Sequence, residues 1–462
     1  MASSTDVASS KDVPRPKRVR GSSPHAIILG AGVTGLGAGW TSGLPVYEAA
    51  QTPGGICASY YQCPGQDERL NSQPRNGEAW RFEFGGGHWI FGGDAEVLRL
   101  IQSLAPVRSY QRRSGVYLPD DHLMVPYPIQ NHLRCLGPEI AQRVLGEITK
   151  AAGPEPGSEA ALASTITMAE WLRKHFGPTL YDKFFGPFHS LYTVQLHTRI
   201  APQDAYKSPI NFETVRLGAQ GEPPPTGYNV SFVYPEGGLD TLARGLAARC
   251  DIHYGKRAKA VDIASRTVHF EDGTVVPYQK LLSTLPLPAM MTMAGLKAAS
   301  PPDPHTSVLV LNIGARKGPH CPSEHWVYIP RSQAGFYRVG IYSQIEKDFL
   351  PRSKRAGNFA ALYVESAFLP ENRPDAAGVR ELCRRTVEEL QSWRWIEEIE
   401  VLSPTWIDVA YTWSLPGSTW RAEALSLLEA QGIQQVGRYG RWSFQGIADS
   451  VREGMRAGEA VR

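Results

Sequence analysis

The stretch His25-Ala-Ile-Ile-Leu29-Gly30-Ala-Gly32-Val-Thr-Gly35 decides the fold. Its apolar run predicts a buried strand, and the Gly-x-Gly-x-x-Gly that follows predicts the tight turn into a helix of a dinucleotide-binding βαβ unit. Gly30 permits the turn, Gly32 lets a pyrophosphate approach the backbone, and Gly35 allows the helix to pack closely on the strand.

A second strand and an acidic residue complete this unit. The segment 44–48 ends in Glu48, which lies 18 residues after Gly30, close to the spacing of about 20 for the carboxylate that binds a ribose hydroxyl. The first helical residues, Val33 and Thr34, belong to the N-terminus whose N–H groups and dipole favour phosphate. Glu48 would repel a 2′-phosphate, which disfavours NADP at this site.

The composition of the chain limits its class. With 462 residues, 42% of them hydrophobic and 20% charged, the chain predicts a globular protein of about three domains. A net charge of +3 argues against a nucleic-acid partner.

No apolar run is long enough to predict a membrane span, and the polar N-terminus lacks an export signal, so we expect a cytoplasmic protein. Six irregularly spaced cysteines predict reduced thiols, and we predict no metal site.

Two further glycine-rich segments follow the βαβ unit. Gly54 and Gly55 come soon after Glu48, and Gly86 and Gly87 precede His88. Consecutive glycines let the backbone lie flat against a planar ring system, because no Cβ intervenes. His88 would then lie beside the reactive edge of such a ring, although a structural histidine in a glycine turn is the alternative interpretation.

These motifs resemble known flavoproteins. Glu48 with its Gly-Gly pair resembles the second signature of the two-dinucleotide-binding flavoproteins, and 86–91 is similar to the histidine loop that faces the flavin in UDP-galactopyranose mutases. The resemblance to these mutases, within the wider amine oxidase and protoporphyrinogen oxidase superfamily, spans about residues 25–460. It implies FAD as cofactor and a small-molecule substrate. The cofactor-binding residues that we predict are Gly30, Gly32, Val33, Thr34, Gly35, Glu48, Gly54, Gly55, Gly86, Gly87, Gly437, Arg438, Gly446 and Ile447.

Sequence patterns and the resemblance together predict the architecture. We expect an α/β fold: a Rossmann-type FAD-binding domain with an inserted helical domain and an antiparallel-sheet substrate domain. Asp272-Gly273 predicts a hairpin turn within a small meander. The predicted parts are a disordered tail at 1–24, the FAD-binding domain at 25–110, 226–300 and 401–462, a mainly helical insertion at 111–225 and the substrate sheet at 301–400.

The resemblance also implies a substrate site. Tyr328 and Arg338 match family segments that bind the diphosphate of a nucleotide sugar. We therefore predict Arg338 as a catalytic residue, together with His88, whose loop is similar to the one that faces the flavin. Gln130, in a Pro-Tyr-Pro segment similar to one in the family, Trp413 and Phe444 complete the predicted substrate-binding set together with Tyr328 and Arg338.

The sequence departs from the mutase pattern at several anion-binding positions. Gly186 occupies the place of a second arginine, and Ile345 and Phe444 replace tyrosines. Each lost contact of a buried charge costs about 2–5 kcal/mol. These replacements predict a less charged pocket in which aromatic groups stack.

Three functions remain open at this point. The first is a mutase-like isomerase that acts on a nucleotide sugar or related glycoside and needs an external electron donor such as NAD(P)H, because no second dinucleotide motif is visible. The second is an oxidoreductase that removes hydride from an amine, an alcohol or a ring C–H. The third is a flavoprotein without catalytic activity, or a binding protein. Fold alone does not separate them.

Overall fold

The computed structural model describes residues 26–92, 95–150, 166–203, 211–221 and 230–462. The predicted tail at 1–24 lies outside the described residues. Within the described ranges, no helix has the length and apolar composition needed to cross a bilayer.

In the described ranges the strands form a five-stranded parallel sheet, a seven-stranded mixed sheet and three small antiparallel sheets of two or three strands. They are β1 Ala26–Leu29, β2 Pro45–Tyr47, β3 Ser59–Gln62, β4 Trp80–Glu83, β5 Val107–Gln111, β6 Ser114–Leu118, β7 Leu123–Pro126, β8 Ser231–Pro235, β9 Asp251–His253, β10 Ala258–Asp262, β11 Thr267–Phe270, β12 Val275–Pro277, β13 Lys280–Ser283, β14 His305–Lys317, β15 Trp326–Tyr328, β16 Arg338–Ile341, β17 Phe359–Phe368, β18 Ile396–Thr412 and β19 Ile433–Gln435.

Some helices pack against the sheets, whereas others form a separate group in the middle of the chain. They are α1 Val33–Ser42, α2 Ala95–Leu104, α3 Pro138–Lys150, α4 Met168–Leu180, α5 Gly186–Tyr192, α6 Phe212–Gln220, α7 Leu239–Ala247, α8 Leu287–Met293, α9 Ala376–Ser392, α10 Trp420–Glu429, α11 Gly437–Gly440 and α12 Ile447–Ala460. A π-helical turn, Tyr181–Phe185, joins α4 to α5.

The parallel sheet has the strand order β19-β13-β1-β2-β9. Its central strand β1 is apolar and fully buried, as expected for a strand with helices on both faces of the sheet. Residues far apart in sequence complete it, since β13 and β19 pair in parallel beside β1. The predicted α/β class with a Rossmann-type parallel sheet is confirmed.

The second large sheet has the order β18-β14-β17-β16-β15-β6-β7. Its pairs are antiparallel except for β15 with β6. Two parts of it differ from the sequence-based division: β6 and β7 come from 111–225, which we predicted as mainly helical, and β18 runs past residue 400. The physical reason is edge pairing, because β6 satisfies the backbone groups that the short β15 would otherwise expose.

Helices α1 and α12 pack closely because glycines replace side chains at their contact. A Cβ on Gly454 would lie 2.0 Å from the carbonyl oxygen of Thr34, and one on Gly458 would lie 2.3 Å from that of Ala38. On the opposite side, a Cβ on Gly37 would lie 2.7 Å from the Val451 carbonyl oxygen. The two backbones therefore approach at a distance that no larger residue allows.

We predict that Gly454→Ala destabilises the protein by about 1–3 kcal/mol, because its methyl group collides with backbone that cannot rotate away. Gly146→Ala is the matched control, since Gly146 also lies in a helix but has no atom within 4 Å of an added Cβ. That control should be neutral or stabilise by about 0.5–1 kcal/mol. Thermal unfolding of both variants tests this, and equal midpoints would contradict the packing argument.

Candidate active site

A cavity of about 310 Å³ opens at the N-termini of α1 and α12, and residues of α5 and β15 also line it. It brings together twelve of the predicted site residues. These are Val33, Thr34, Gly54, Gly87, His88, Tyr328, Arg338, Gly437, Arg438, Phe444, Gly446 and Ile447.

The other predicted residues do not line this cavity. Six of them belong to the glycine turns, the first turn of α1, a short helical turn and the end of β2: Gly30, Gly32, Gly35, Glu48, Gly55 and Gly86. Gln130 and Trp413 are buried away from the cavity, at 0% and 1% exposure. Gln130 lies in a short helical turn after the Pro-Tyr-Pro segment, and Trp413 packs behind the cavity residues Tyr192 and Tyr411. Neither side chain is among the described residues that line the cavity, and their role in substrate binding stays a prediction.

The three glycines of the first motif differ in the space around them. Gly30 has φ +93°, and a Cβ there would lie 2.2 Å from the Thr284 hydroxyl oxygen. A Cβ on Gly35 would lie 1.9 Å from the carbonyl oxygen of Gly30. Around Gly32 no atom lies within 4 Å of an added Cβ. Two of these glycines are thus required by the fold. Gly32 instead borders open space beside the N-terminus of α1, and we call this space the cradle.

The Glu48 carboxylate is fixed at the end of β2. Oε2 accepts a hydrogen bond from the Ala31 N–H at 2.6 Å, and Oε1 accepts one from the Ala50 N–H at 2.7 Å. An ionised carboxylate has about four lone-pair sites, so both oxygens retain acceptor capacity. The geometry leaves Glu48 able to accept hydrogen bonds from a ribose beside the glycine turn.

Two helix N-termini face the same cavity. Gly32 precedes α1 and Gly446 precedes α12, and neither helix has a side-chain cap. Val33, Thr34 and Ile447 line the cavity from these ends. Uncapped N–H groups and the positive ends of two helix dipoles favour a diphosphate. Together with the open cradle at Gly32, these ends fit a dinucleotide cofactor.

A glycine loop carries His88 into the cavity. A Cβ on Gly87 would lie 2.0 Å from the hydroxyl oxygen of Tyr363, so the loop lies directly on β17. The N–H of Gly86 donates to the carbonyl oxygen of Glu83 at 3.3 Å. The buried Glu83 side chain in turn accepts from Ser59 at 2.7 Å and from Tyr234. This network anchors the loop to β3, β4 and β8.

The imidazole of His88 is neutral in this setting. Burial, together with the nearby charges of Arg438 and Arg338, lowers its pKa to about 3. Its Nδ1 is buried and has no hydrogen-bond partner within the described residues. A buried polar atom without a partner points to a group that is absent, so a bound ligand is the expected partner of His88.

Arg338 forms an ion pair at the wall of the cavity. Its Nη2 lies 2.6 Å from both carboxylate oxygens of Glu365, which is directly opposite on β17. Glu365 is 1% exposed and also accepts from Tyr337 at 2.6 Å. The Nε of Arg338 is buried without a partner in the described part of the chain. The pair cancels the charge of Arg338 but leaves a donor for a ligand oxygen.

Aromatic side chains that sequence reasoning missed form the opposite wall. Phe184 belongs to the π-helical turn, and Phe188 and Tyr192 follow at four-residue spacing in α5. The Phe188 ring contacts that of Tyr328 at 5.4 Å, and the Tyr192 ring contacts that of Tyr337 at 5.3 Å. The i, i+4 spacing of these aromatics was the available signal. They make the cavity largely apolar on this side.

Arg438 and Phe444 lie together on the C-terminal side of the cavity. The guanidinium of Arg438 is 4.8 Å from the centroid of the Phe444 ring, and its Nη2 donates to the Ala410 carbonyl oxygen at 2.7 Å. Phe444 is 37% exposed, so it lies at the edge of the cavity. The Phe444 ring attracts the Arg438 cation and helps to fix the plane of its guanidinium group, and Arg438 remains charged.

Comparison with known proteins gives the family. The model for the flavin containing amine oxidoreductases matches residues 44–462. A solved structure of reduced UDP-galactopyranose mutase is similar with a TM-score of 0.78 at 22% identity, covering 95% of both chains. A putative protoporphyrinogen oxidase from Exiguobacterium sp. 255-15 gives 0.66 at 16% identity, covering 95% of this chain and 99% of that one.

A more distant likeness is to wild-type putrescine oxidase bound to putrescine. Its TM-score is 0.56 at 15% identity, and the match covers 95% of this chain and 98% of that one. At such identities the likeness is one of fold. The predicted resemblance to the mutases within the amine oxidase superfamily is confirmed by these matches.

We predict that Gly32→Val abolishes flavin retention while the folded protein without flavin keeps its stability, because the added side chain enters open space in the cradle. Gly35→Val is the control for a packing defect, since its Cβ collides with backbone and should lower the unfolding midpoint itself. The ratio of flavin absorbance to protein absorbance, measured with the unfolding midpoint, separates the two effects. Normal flavin content in Gly32→Val would contradict the assignment of the cradle.

Proposed function

Because the chain belongs to the flavin containing amine oxidoreductase family, we propose that it binds its flavin as FAD and oxidises a small, largely apolar substrate beside His88. The observation that carries this proposal is the pairing of Arg338 with the buried Glu365 in a cavity walled by aromatic rings. A site of this kind favours an uncharged reacting group over a dianionic diphosphate.

Desolvation supplies the physical argument. A diphosphate that moves from water into the cavity needs two guanidinium groups that are not already paired with a carboxylate. Here Glu365 already pairs with Arg338, and Gly186 stands where the resemblance predicts the second arginine. Apolar rings such as Phe188 instead gain free energy when they cover an apolar substrate.

FAD fits the residues around the cavity. The two uncapped helix N-termini match its diphosphate, and Glu48 matches the ribose of its adenosine half. When bound, the flavin supplies a two-electron acceptor for a hydride from a substrate carbon. The substrate loses a hydride and a proton, and an external oxidant such as dioxygen removes the two electrons that the protein gains in each turnover.

The residues of the chain perform supporting roles in this reaction. The neutral His88 can accept a hydrogen bond at Nδ1 and thereby orient the reacting group. The buried Nε–H of Arg338 can donate to a substrate oxygen, because Glu365 uses only Nη2. The aromatic wall excludes water from the reacting carbon.

A mutase-like isomerase is the second candidate. The observation that favours it is that Tyr328 and Arg338, which the resemblance implies as diphosphate ligands, both line the cavity. This reaction requires flavin reduced beforehand by an external donor such as NAD(P)H. It also requires another cationic residue to take over the role of the arginine whose place Gly186 occupies.

Anaerobic mixing with substrates separates the two functions. We predict that the FAD absorbance bleaches on addition of an amine, alcohol or cyclic C–H donor, without any reductant. Interconversion of UDP-galactopyranose and UDP-galactofuranose only after reduction by dithionite, with no net oxidation, would instead establish the mutase. Tight binding of UDP that Arg338→Ala weakens more than tenfold would support the same conclusion, because removal of a charged contact of this kind costs about 2–5 kcal/mol.

We predict that His88 contributes no titration to the rate between about pH 5 and pH 8, because its pKa of about 3 keeps it neutral throughout, below its ordinary value near 6.5. His88→Ala should slow flavin reduction by roughly tenfold at every pH, as expected for the loss of one hydrogen bond of about 1.4 kcal/mol. His88→Asn, which keeps a polar group, should retain more of the rate. An inflection near pH 6.5 that His88→Ala removes would contradict the neutral imidazole.

A further inference from the structure

We propose that the substrate is an alcohol, and that its hydroxyl group enters a small recess between His88 and Arg338. The inference rests on the proposed oxidation and narrows its substrate class, because the amines and cyclic C–H donors considered above carry no hydroxyl on the reacting carbon. The recess is a second cavity of about 10 Å³, and sequence analysis did not predict it.

The recess adjoins the main cavity. Six residues line both of them: His88, Tyr337, Arg338, Tyr411, Arg438 and Tyr439. The volume of the recess is close to the smallest that holds one water molecule, so it admits a single oxygen-sized group and excludes a ring or a phosphate. A substrate whose body occupies the main cavity can therefore place one small group in the recess.

A hydrogen-bond acceptor and a donor without partners both belong to residues of the recess. Nδ1 of His88 and Nε of Arg338 are buried, and neither has a partner in the described part of the chain. A neutral imidazole has one acceptor nitrogen, whereas the Nε of an arginine only donates. With Nδ1 as that acceptor, the recess offers one acceptor and one donor to a ligand.

The other polar side chains of the recess have partners. Both carboxylate oxygens of Glu365 lie 2.6 Å from Nη2 of Arg338, and Oε2 also accepts from the Tyr337 hydroxyl at 2.6 Å. Nη2 of Arg438 donates to the carbonyl oxygen of Ala410 at 2.7 Å. Among the described residues that line the recess, Nδ1 and Nε are thus the buried side-chain atoms left to bind a ligand.

A hydroxyl group satisfies both atoms. It donates its one O–H to Nδ1 of His88 and accepts from Nε–H of Arg338 through an oxygen lone pair. A protonated amine only donates, and it meets the guanidinium charges of Arg338 and Arg438, which also lower the pKa of His88. A hydrocarbon leaves both buried atoms unpaired, which costs more than a typical hydrogen bond gains.

The same two contacts serve the oxidation. The C–H bond of the hydroxyl-bearing carbon breaks as its hydride leaves for the bound flavin, and the O–H bond breaks as its proton passes to Nδ1 of His88. The carbon–oxygen bond becomes a carbonyl, and Nε–H of Arg338 stabilises the negative charge that develops on the oxygen. His88 passes the proton on to water, because burial and two nearby guanidinium groups disfavour its charged form. The external oxidant removes the two electrons.

Binding of three ligands of equal shape to the oxidised FAD-loaded protein tests this inference. The probes are 2-phenyl-2-propanol, tert-butylbenzene and 2-phenyl-2-propylamine, which carry a hydroxyl, a methyl and an ammonium group on the same carbon. That carbon bears no hydrogen in any of them, so none is oxidised there. We expect calorimetry to show that the alcohol binds at least about tenfold more tightly than the hydrocarbon and that the amine binds most weakly.

Variants assign the preference to the two atoms. Arg338→Lys keeps a cation for Glu365 but removes Nε–H, and His88→Leu removes the acceptor; each should reduce the preference for the alcohol to less than about threefold. Arg373→Lys is the matched control, because Arg373 also pairs with a carboxylate, that of Asp408 at 2.7 Å, and has a buried Nε without a partner in the described ranges. Arg373 is not among the residues that line either cavity, so this variant should keep the full preference.

Four results would overturn the inference: equal binding of the alcohol and the hydrocarbon, as expected if the recess holds only a water molecule; tighter binding of the amine; no binding of the alcohol; or an undiminished preference in both cavity variants. The comparison of probes on the unsubstituted protein decides even where a variant fails to fold. Failure of the proposed oxidation would appear separately, as preferred binding of the alcohol without anaerobic bleaching of the flavin by 1-phenylethanol. Bleaching by 1-phenylethylamine without a preference for the alcohol would support the oxidation and contradict this inference.

Discussion

The close contact between α1 and α12 is the constraint on which the cavity depends. Because Gly37, Gly454 and Gly458 lack side chains, the two helix backbones meet directly, and both N-termini end at the cavity. One helix follows β1 near the start of the chain, and the other is the last helix. The diphosphate site that we propose is therefore formed by segments far apart in sequence, and it requires the parallel sheet to bring β1 and β19 into one layer.

The second sheet supplies residues of the proposed reaction site beside the proposed nucleotide site. Its strands β15, β16 and β17 carry Tyr328, Arg338 and Glu365, and the glycine loop before His88 lies against Tyr363 of the same sheet. Burial makes the imidazole of His88 neutral, and register pairs Arg338 with Glu365. The result is a cavity whose charge is partly cancelled near the reacting group.

Local motifs were the part of the molecule that the sequence could predict. The turn from β1 into α1 follows from glycine spacing, and the hairpin at Asp272-Gly273 follows from a dipeptide that tolerates positive φ. Such features depend on a few adjacent residues. Part of the parallel sheet could be predicted as well, because the glycine turn and Glu48 mark β1 and β2, whereas the short edge strands β9 and β19 carry no such signal.

Features set by long-range packing could not be predicted in the same way. Arg338 and Glu365 are 27 residues apart and meet only through the register of β16 and β17. Trp413 was a plausible stacking residue, but it packs on the cavity residue Tyr411 and does not itself line the cavity. Sequence spacing contains no information about any of these contacts.

The central claim is that the cradle at Gly32, the two helix ends and Glu48 together bind a dinucleotide. The most direct measurement is a titration of the flavin-free protein with FAD and with FMN, followed by the quenching of flavin fluorescence. FAD should bind at one equivalent and at least about a hundredfold more tightly than FMN, which has no adenosine half to contact Glu48. Equal affinity for the two flavins, or no binding of FAD, would contradict the claim.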